Sequence, residues 1–373
     1  MRARIPIIAV APHDAAPHKG RGTAWNLAHR FTAELKEEFD DGWGTLEQAG
    51  FESVGAPATQ VSAEQARSIL SHNDSPDVGF ELSINPYRGC EHGCIYCYAR
   101  PTHSYLNLSP GIDFETRIVA KVNAAQRLRE AFARKGYRPR MLNLGSVTDA
   151  YQPLERRLRI TRGVVEVLAE HRHAFSIITK SALVERDLDL IAPLAGDRLA
   201  AVYVSITTLD AALARILEPR AASPQRRLRT IRTLAEAGVP VGVSVSPVIP
   251  FVNEPELERV LEAAAEAGAK SAFSIVLRLP WEVNPIFQDW LARHYPLRAE
   301  RVMARLREMR GGRDNDPRFG SRMRGEGVWA ELLAQRFRKA CARLGLDRDR
   351  FELDLTQFEP PRLPSGTGQG ELF

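Results

Sequence analysis

The sequence predicts an α/β protein built on a partial (β/α)6 TIM-like barrel, with an N-terminal extension and a helical C-terminal segment. Three observations carry this. A degenerate unit, helical stretch then turn with Gly or His then short apolar β-branched run, recurs as FARKGYRPRMLNLGSV, VLAEHRHAFSIITK, APLAGDRLAAVYVSIT, TLAEAGVPVGVSVSPV and AAAEAGAKSAFSIVL. The apolar runs are short and bounded by turn signals, the pattern of parallel strands buried on both faces. No G-x-G-x-x-G follows the first strand, which argues against a Rossmann or flavodoxin-like sheet, the competing arrangement.

Along the chain, residues 1–22 are rich in Ala, Pro, His and Gly without periodicity and are expected to be disordered. Residues 23–79 form an irregular extension with one expected helix, Ala63 to Ser71. The barrel occupies 80–280, with FELSINPYRGC supplying the first strand near 80–84. The five repeats supply strands near 141–146, 174–179, 201–206, 241–246 and 272–278. Six units fall short of the eight of a closed barrel. A basic helical segment follows over 281–359, and 360–373 reads as a tail.

The composition is that of an ordinary globular chain, 373 residues with 44% hydrophobic and 26% charged, which excludes collagen-like, coiled-coil and wholly disordered classes. No apolar stretch reaches the roughly 20 residues of a membrane span. The run Ile5 to Ala11 is short and interrupted by Pro6, a poor secretory signal. Four cysteines in so long a chain are no disulfide framework. A cytoplasmic protein without membrane contact is expected. The net charge of +5 is uneven: Arg298 to Arg350 holds 15 Arg and Lys against 8 Asp and Glu, so the remainder is slightly acidic.

Ligands of parallel α/β folds sit at the carboxyl ends of the strands. Just after the first strand stands Cys90-Glu-His-Gly-Cys94-Ile-Tyr-Cys97. Three thiolates at C-x3-C-x2-C spacing can each ligate one iron of a cubane cluster and leave the fourth iron open. Structural zinc is an alternative and would need a further ligand such as His92 or His103. A disulfide would leave an odd thiol. No second Cys-rich motif is present, so no auxiliary cluster is expected.

The segment CEHGCIYC resembles the C-x3-C-x-aromatic-C signature of radical S-adenosylmethionine enzymes, with Tyr96 in the aromatic slot. The longer stretches NPYRGCEHGCIYCYARPTH and LGSVTDAYQPLE resemble the spore photoproduct lyase-related, "DNA repair photolyase"-like group. This resemblance spans about residues 80–280. It implies a 4Fe-4S cluster on Cys90, Cys94 and Cys97, with the methionine amine and carboxylate of S-adenosyl-L-methionine on the open iron. A reductant such as flavodoxin or ferredoxin would drive cleavage to a 5′-deoxyadenosyl radical that abstracts hydrogen from the substrate. Carried over by position, Thr148 and Asp149 would hold the methionine amine, Lys180 and Ser205 would lie near the carboxylate and ribose, and Val248 to Asn253 along the adenine. Elementary chemistry agrees, since an ammonium in a partly dry cleft needs acceptors and a carboxylate wants a cation. Arg220, in Leu217-Glu-Pro-Arg220, is a candidate carboxylate ligand or a surface residue.

The resemblance also has a break. The lyases of this group carry a cysteine near the end of strand two as hydrogen donor, and Ser146 stands there in this sequence. A strong O–H bond is a poor donor to a carbon radical, so spore photoproduct repair is not expected. Cys341 could substitute only if the C-terminal segment covers the barrel mouth; a buried helix position is the plainer expectation. Arginines interleaved with Trp281, Phe287, Trp290 and Tyr295 suit a nucleic-acid substrate, and equally solvated helix faces. A peptide or small metabolite substrate, or a non-catalytic iron-sulfur or zinc scaffold, are the alternatives.

Overall fold

The computed structural model describes residues 20–23, 25–31, 57–346 and 351–361. Its strands are β1 (Gln60–Glu64), β2 (Leu70–His72), β3 (Leu82–Ile84), β4 (Tyr87–Arg88), β5 (Arg117–Lys121), β6 (Leu142–Leu144), β7 (Phe175–Thr179), β8 (Ala200–Ser205), β9 (Val241–Val248) and β10 (Ser271–Val276). The main sheet runs β10-β9-β8-β7-β6-β3-β2. Six strands, β3 and β6 to β10, are mutually parallel and follow chain order without reversal. A doubly wound sheet would reverse its order at a switch point. The monotonic order is that of a partial (β/α)6 barrel, as the repeats predicted.

The strand sequences explain their own burial. Every residue of Ala200-Ala-Val-Tyr-Val-Ser205 is buried, as a strand covered on both faces requires. Helices α1 (Ala124–Phe132), α2 (Ile160–Glu170), α3 (Leu188–Gly196), α4 (Pro224–Glu236) and α5 (Leu257–Glu266) each precede one of β6 to β10. α4 shows how sequence sets such a helix. Ser223 caps it by accepting from Arg226 N–H at 3.3 Å, Pro224 fills the first turn, and Ile231 and Leu234 point into the core.

The expected helix over Ala63 to Ser71 is absent. Gln60–Glu64 is instead a strand, paired in parallel with Arg117–Lys121 in a second sheet of order β1-β5-β4, and Leu70–His72 pairs antiparallel with β3 at the edge of the main sheet. An isolated nine-residue helix is marginal. The strand pairing satisfies the backbone, and between the two strands the Asn123 side chain grips Ala66 through both its N–H (2.9 Å) and its carbonyl (3.0 Å).

The expectation of disorder over residues 1–22 also needs correction at its end: Arg21 and Gly22 are docked, as described below, while residues 1–19 lie outside the described residues. The C-terminal segment supplies α6 (Val283–His294), α7 (Ala299–Glu308) and α8 (Val328–Leu344), and α6 buries Phe287 and Trp290 in the core. Residues 351–361 then run back across the N-terminal end of the barrel. Asp354 N–H donates to Arg198 C=O and Glu359 N–H to His171 C=O, both at 2.9 Å. Phe358 packs edge-on against Phe132. Of the tail expected over 360–373, residues 362–373 lie outside the described residues. Among the described residues, no helix is long and apolar enough to cross a membrane.

Candidate functional site at the barrel mouth

The C-terminal ends of the parallel strands share one edge of the sheet, which brings Cys90, Ser146 to Asp149, Lys180, Ser205, Val248 to Asn253 and Arg278 to the same mouth. The cysteine loop begins six residues after β3 and is fastened on three sides. From β6, Thr148 Oγ1 donates to Gly89 C=O at 2.7 Å, and Gln152 Oε1 accepts from Glu91 N–H at 2.9 Å. From the turn after Ala211–Leu217, Leu217 C=O accepts from Ile95 N–H (3.0 Å) and Arg220 N–H donates to His92 C=O (3.2 Å). From within, Arg100 is wholly buried, with its Nε donating to Cys94 C=O at 2.9 Å and another nitrogen to Gly93 C=O at 3.2 Å.

The N-terminal segment adds a further brace. Glu115, fully buried, accepts from Arg100 at 2.6 Å, from Gly22 N–H at 2.8 Å and from both Thr23 N–H and Thr23 Oγ1 at 3.0 Å. Gly22 then lies so close that a Cβ on it would sit 1.8 Å from the Gly93 carbonyl oxygen. Gly93 in turn has φ of +67°, a left-handed conformation that suits glycine. The Gly of Cys-Glu-His-Gly-Cys is therefore set by the backbone that crosses it.

Cys90 and Cys94 are buried and Cys97 is half-buried. Burial pushes the Cys90 thiol well up and the Cys94 thiol to about 12, so both favour the neutral form until a positive charge such as a metal's offsets the burial. The Asp149 backbone N–H points at Cys90 sulfur, and Lys180 and Arg227 place positive charge near Cys94. Thiol donors with hydrogen-bonded sulfur and nearby cations suit an iron-sulfur cluster. Of the histidines that a structural zinc could have recruited, His92 Nδ1 faces Asp149 Oδ2 at 3.3 Å and His103 Nε2 contacts the Arg117 carbonyl at 2.9 Å. Among the described residues, no three His, Cys, Asp or Glu side chains converge to hold one metal ion.

The expected S-adenosylmethionine contacts all lie at the mouth, but several are already engaged. Asp149 Oδ1 accepts from Thr179 Oγ1 (2.7 Å) and Tyr151 N–H (2.9 Å); Oδ2 accepts from Lys180 N–H (2.8 Å) and faces His92. Burial would raise its pKa, yet His92 and these donors hold it well below the usual carboxylate range. Four donors fill a carboxylate, so an ammonium there would displace one of them. Asn253 is likewise occupied, accepting from Ile249 N–H at 2.6 Å and donating to the carbonyls of Thr207 (2.7 Å) and Pro247 (2.9 Å). Val248 is buried beside it, and Ser205 is buried at the end of β8 with its carbonyl held by Arg227 at 2.9 Å. Lys180 Nζ stands 5.8 Å from the centre of the Tyr96 ring.

Sequence reasoning missed the buried pair Glu218–Arg227. Arg227 donates to Glu218, which also accepts from Tyr96 OH and, at 2.6 Å, from Thr207 Oγ1. Burial works against the Glu218 charge, but Arg227 and Lys180 outweigh it and hold the carboxyl at about 2. The pair seats Tyr96, and through it the cysteine loop, on β8 and α4. The only signal in the sequence was Leu217-Glu-Pro-Arg220. Arg220 there does meet a carboxylate, that of Glu91 in the cysteine loop, at 3.1 Å.

In the C-terminal segment Phe287 and Trp290 are core residues and Trp281 is exposed. Many of its arginines face acids: Arg305–Glu308, Arg307–Asp314, Arg318–Asp316, Arg322–Asp77, Arg336–Glu258 and Arg343–Glu262. Such pairing accounts for much of the arginine content structurally. Cys341 is buried in α8, which packs on α5, so it is placed on the barrel's flank.

Fold and site together define an α/β barrel enzyme with three thiols on the loop at the strand-end mouth. The chain carries a radical SAM superfamily domain, whose family profile matches residues 84–264. That domain implies general use of S-adenosylmethionine and an iron-sulfur cofactor. The uncharacterized protein Rv2578c of Mycobacterium tuberculosis is 38% identical over 232 residues, covering 62% of this chain and 67% of its own. The uncharacterized protein MJ0683 of Methanocaldococcus jannaschii is 31% identical over 218 residues, covering 58% and 78%. Among solved structures, a spore photoproduct lyase mutant with bound AdoMet and dinucleoside spore photoproduct matches with TM-score 0.53 at 17% identity, over 76% of this chain and 79% of that one. At that identity the likeness is one of fold.

Proposed function

We propose that this enzyme binds a 4Fe-4S cluster on Cys90, Cys94 and Cys97, and S-adenosylmethionine beside it, and abstracts hydrogen from a substrate at the barrel mouth. The observation that supports it most is the cysteine loop itself: three thiols at the strand-end mouth, braced by the β6 loop, the Leu217–Arg220 turn and Arg100. When bound, the cluster and S-adenosylmethionine would supply, on one-electron reduction from a partner such as flavodoxin or ferredoxin, methionine and a 5′-deoxyadenosyl radical. The chain's own residues would position and shield. Lys180 places a cation where the methionine carboxylate would lie, Thr148 keeps an acceptor site near the amine, and Val248 and the Asn253-braced turn form the wall for the adenine.

Spore photoproduct repair is not the reaction we assign. Ser146 occupies the position of the lyases' donor thiol, its Oγ accepting from Asn85 Nδ2 at 3.1 Å. Cys341 sits in α8 rather than at strand two.

The test is anaerobic reconstitution with iron and sulfide, then dithionite and S-adenosylmethionine. A brown protein that forms 5′-deoxyadenosine, with Cys97→Ala abolishing it, is the expected result; a colourless protein retaining one zinc would overturn the assignment. Incubation with dinucleoside spore photoproduct should leave the lesion intact, and conversion to two thymidines would refute the exclusion.

A further inference from the structure

We propose that Arg278, at the exit of the sixth barrel strand, is an oxoanion-binding residue that takes a phosphate or carboxylate borne by the substrate. The inference deepens the reading above, since it names a chemical group that the substrate of that same mouth carries.

The position is built. β10 ends at Val276, Leu277 N–H donates to Val248 C=O at 3.0 Å, and Arg278 follows on the edge that carries Cys90 and Lys180. Arg310, 1% exposed, fixes this exit. Its guanidinium donates to Leu277 C=O at 2.8 Å and Val276 C=O at 3.3 Å on one side, and to Arg322 C=O at 2.7 Å and Ser321 C=O at 3.2 Å on the other. The loop carrying Met323 is thereby brought over Arg278, whose one side-chain hydrogen-bond contact among the described residues is that thioether, at 3.7 Å. Arg278 Nε is buried and meets no acceptor.

A guanidinium has five N–H donors in a planar fork and cannot shed its charge. Half-buried without a carboxylate, it incurs a desolvation cost that its own protein contacts do not offset. The nearby acids are engaged elsewhere: Asp77 accepts from Arg322 and from Gly320 N–H, and Asp316 from Arg318 and Ser321. Arg322 and Arg310 add positive charge on the same side. Burial and Arg322 lower the Arg278 pKa, and the opposing pull of Tyr98 and Asp77 does not offset them. Across the mouth stands Tyr98, next to Cys97, with its ring 52% exposed and within electrostatic range of both Arg278 and Lys180. An oxoanion bridging the open face of Arg278 would supply the missing acceptors and anchor a substrate beside the cluster loop.

The probes are inorganic phosphate and acetate, titrated separately at fixed ionic strength into the full chain and followed by ligand-observed NMR. Wild type should saturate with at least one probe, and the tighter one names the substrate's group. Arg278→Gln should weaken binding roughly ten- to a hundredfold, the loss expected of charged hydrogen bonds. Arg324→Gln, which alters an exposed arginine, should bind as wild type. Absence of saturation, unchanged binding in Arg278→Gln, or equal loss in Arg324→Gln would each overturn the proposal. Should Arg278→Gln fail to fold by circular dichroism, Arg278→Lys decides in the same way, because a point charge loses the bidentate fork. The titration needs no S-adenosylmethionine cleavage, so a chain that forms no 5′-deoxyadenosine but binds the anion fails only the radical reading, and the reverse pattern fails only this one.

Discussion

Arg100 and Glu115 form an ion pair at 2.6 Å in which neither side chain is exposed, joining the loop that presents Cys90, Cys94 and Cys97, held by Arg100, to the N-terminal segment that crosses it, held by Glu115. Arg100 holds the carbonyls of Gly93, Cys94, Pro110 and Gly111, and Glu115 holds the backbone of Gly22 and Thr23. Removing one partner of a buried, hydrogen-bonded pair typically costs about 3–5 kcal/mol, because the other charge stays buried. Glu115→Gln should therefore destabilise the chain by that order in urea denaturation. It should also lower the iron and sulfide retained after reconstitution, with Glu115→Gln plus Arg100→Met recovering part of the stability but not the cluster content. Full cluster content in the single variant would show that the pair is not what shapes the loop.

Gly22 should be intolerant for a reason confined to its own docking. A Cβ 1.8 Å from a backbone oxygen cannot be accommodated by side-chain motion. Gly22→Ala should release the segment around Arg21 to Thr23, seen as a cut near Arg21 by trypsin under conditions where wild type resists. Stability in urea should fall by no more than about 1–2 kcal/mol, since the lost groups are few hydrogen bonds rather than core. Equal trypsin resistance would refute the docking.

At the opposite end of the barrel, His173 provides a pH dependence. Its Nδ1 lies 2.9 Å from the Ala174 carbonyl, which can only accept, so Nδ1 carries the proton and Nε2 accepts from Tyr137 OH at 2.8 Å. Burial holds its pKa down to about 4. The unfolded chain, with an ordinary His pKa near ~6.5, binds the extra proton first, so this contribution is whole above that value and is lost as pH falls toward about 4. Between pH 7.5 and 5 the loss should be about 2 kcal/mol of unfolding free energy. His173→Phe, which keeps the stacking on Phe132, should flatten that slope in urea titrations at the two pH values; an unchanged slope would place the proton elsewhere.

The strands were legible in the sequence because β-branched runs between turn signals can be buried on both faces in few other ways, and the cysteine spacing was legible because its chemistry is local. The supports of the loop were not. Glu115, Gln152, Glu218, Arg227 and the Arg21–Thr23 segment reach it from points tens of residues away, and nothing in an isolated Glu or Arg marks a buried partner. The misread helix at Ala63–Ser71 failed for a related reason: its pairing partner, Arg117–Lys121, is separated from it by some fifty residues. Asp149 and Asn253 were found by position, yet the hydrogen bonds that occupy them exist only in the folded chain.

Asn253 separates a bracing role from direct nucleotide contact. One side chain satisfies three backbone groups, Ile249 N–H, Thr207 C=O and Pro247 C=O, and so joins the ends of β8 and β9 where the adenine wall is proposed. Asn253→Asp keeps the acceptor for Ile249 but replaces two donors with an anion facing two carbonyls. That leaves buried acceptors unsatisfied at about 1–3 kcal/mol each and adds a repulsive charge. If the residue braces the turn, Asn253→Asp and Asn253→Ala should both lower stability by at least about 2 kcal/mol, and the KM for S-adenosylmethionine should rise in parallel with that loss. Direct contact with adenine would instead raise KM with stability nearly unchanged, since the chain's own hydrogen bonds would then not depend on it. Urea midpoints and 5′-deoxyadenosine formation measured on the same preparations decide between these patterns, and the geometry favours the first, because every polar atom of the side chain already has a partner within the turn.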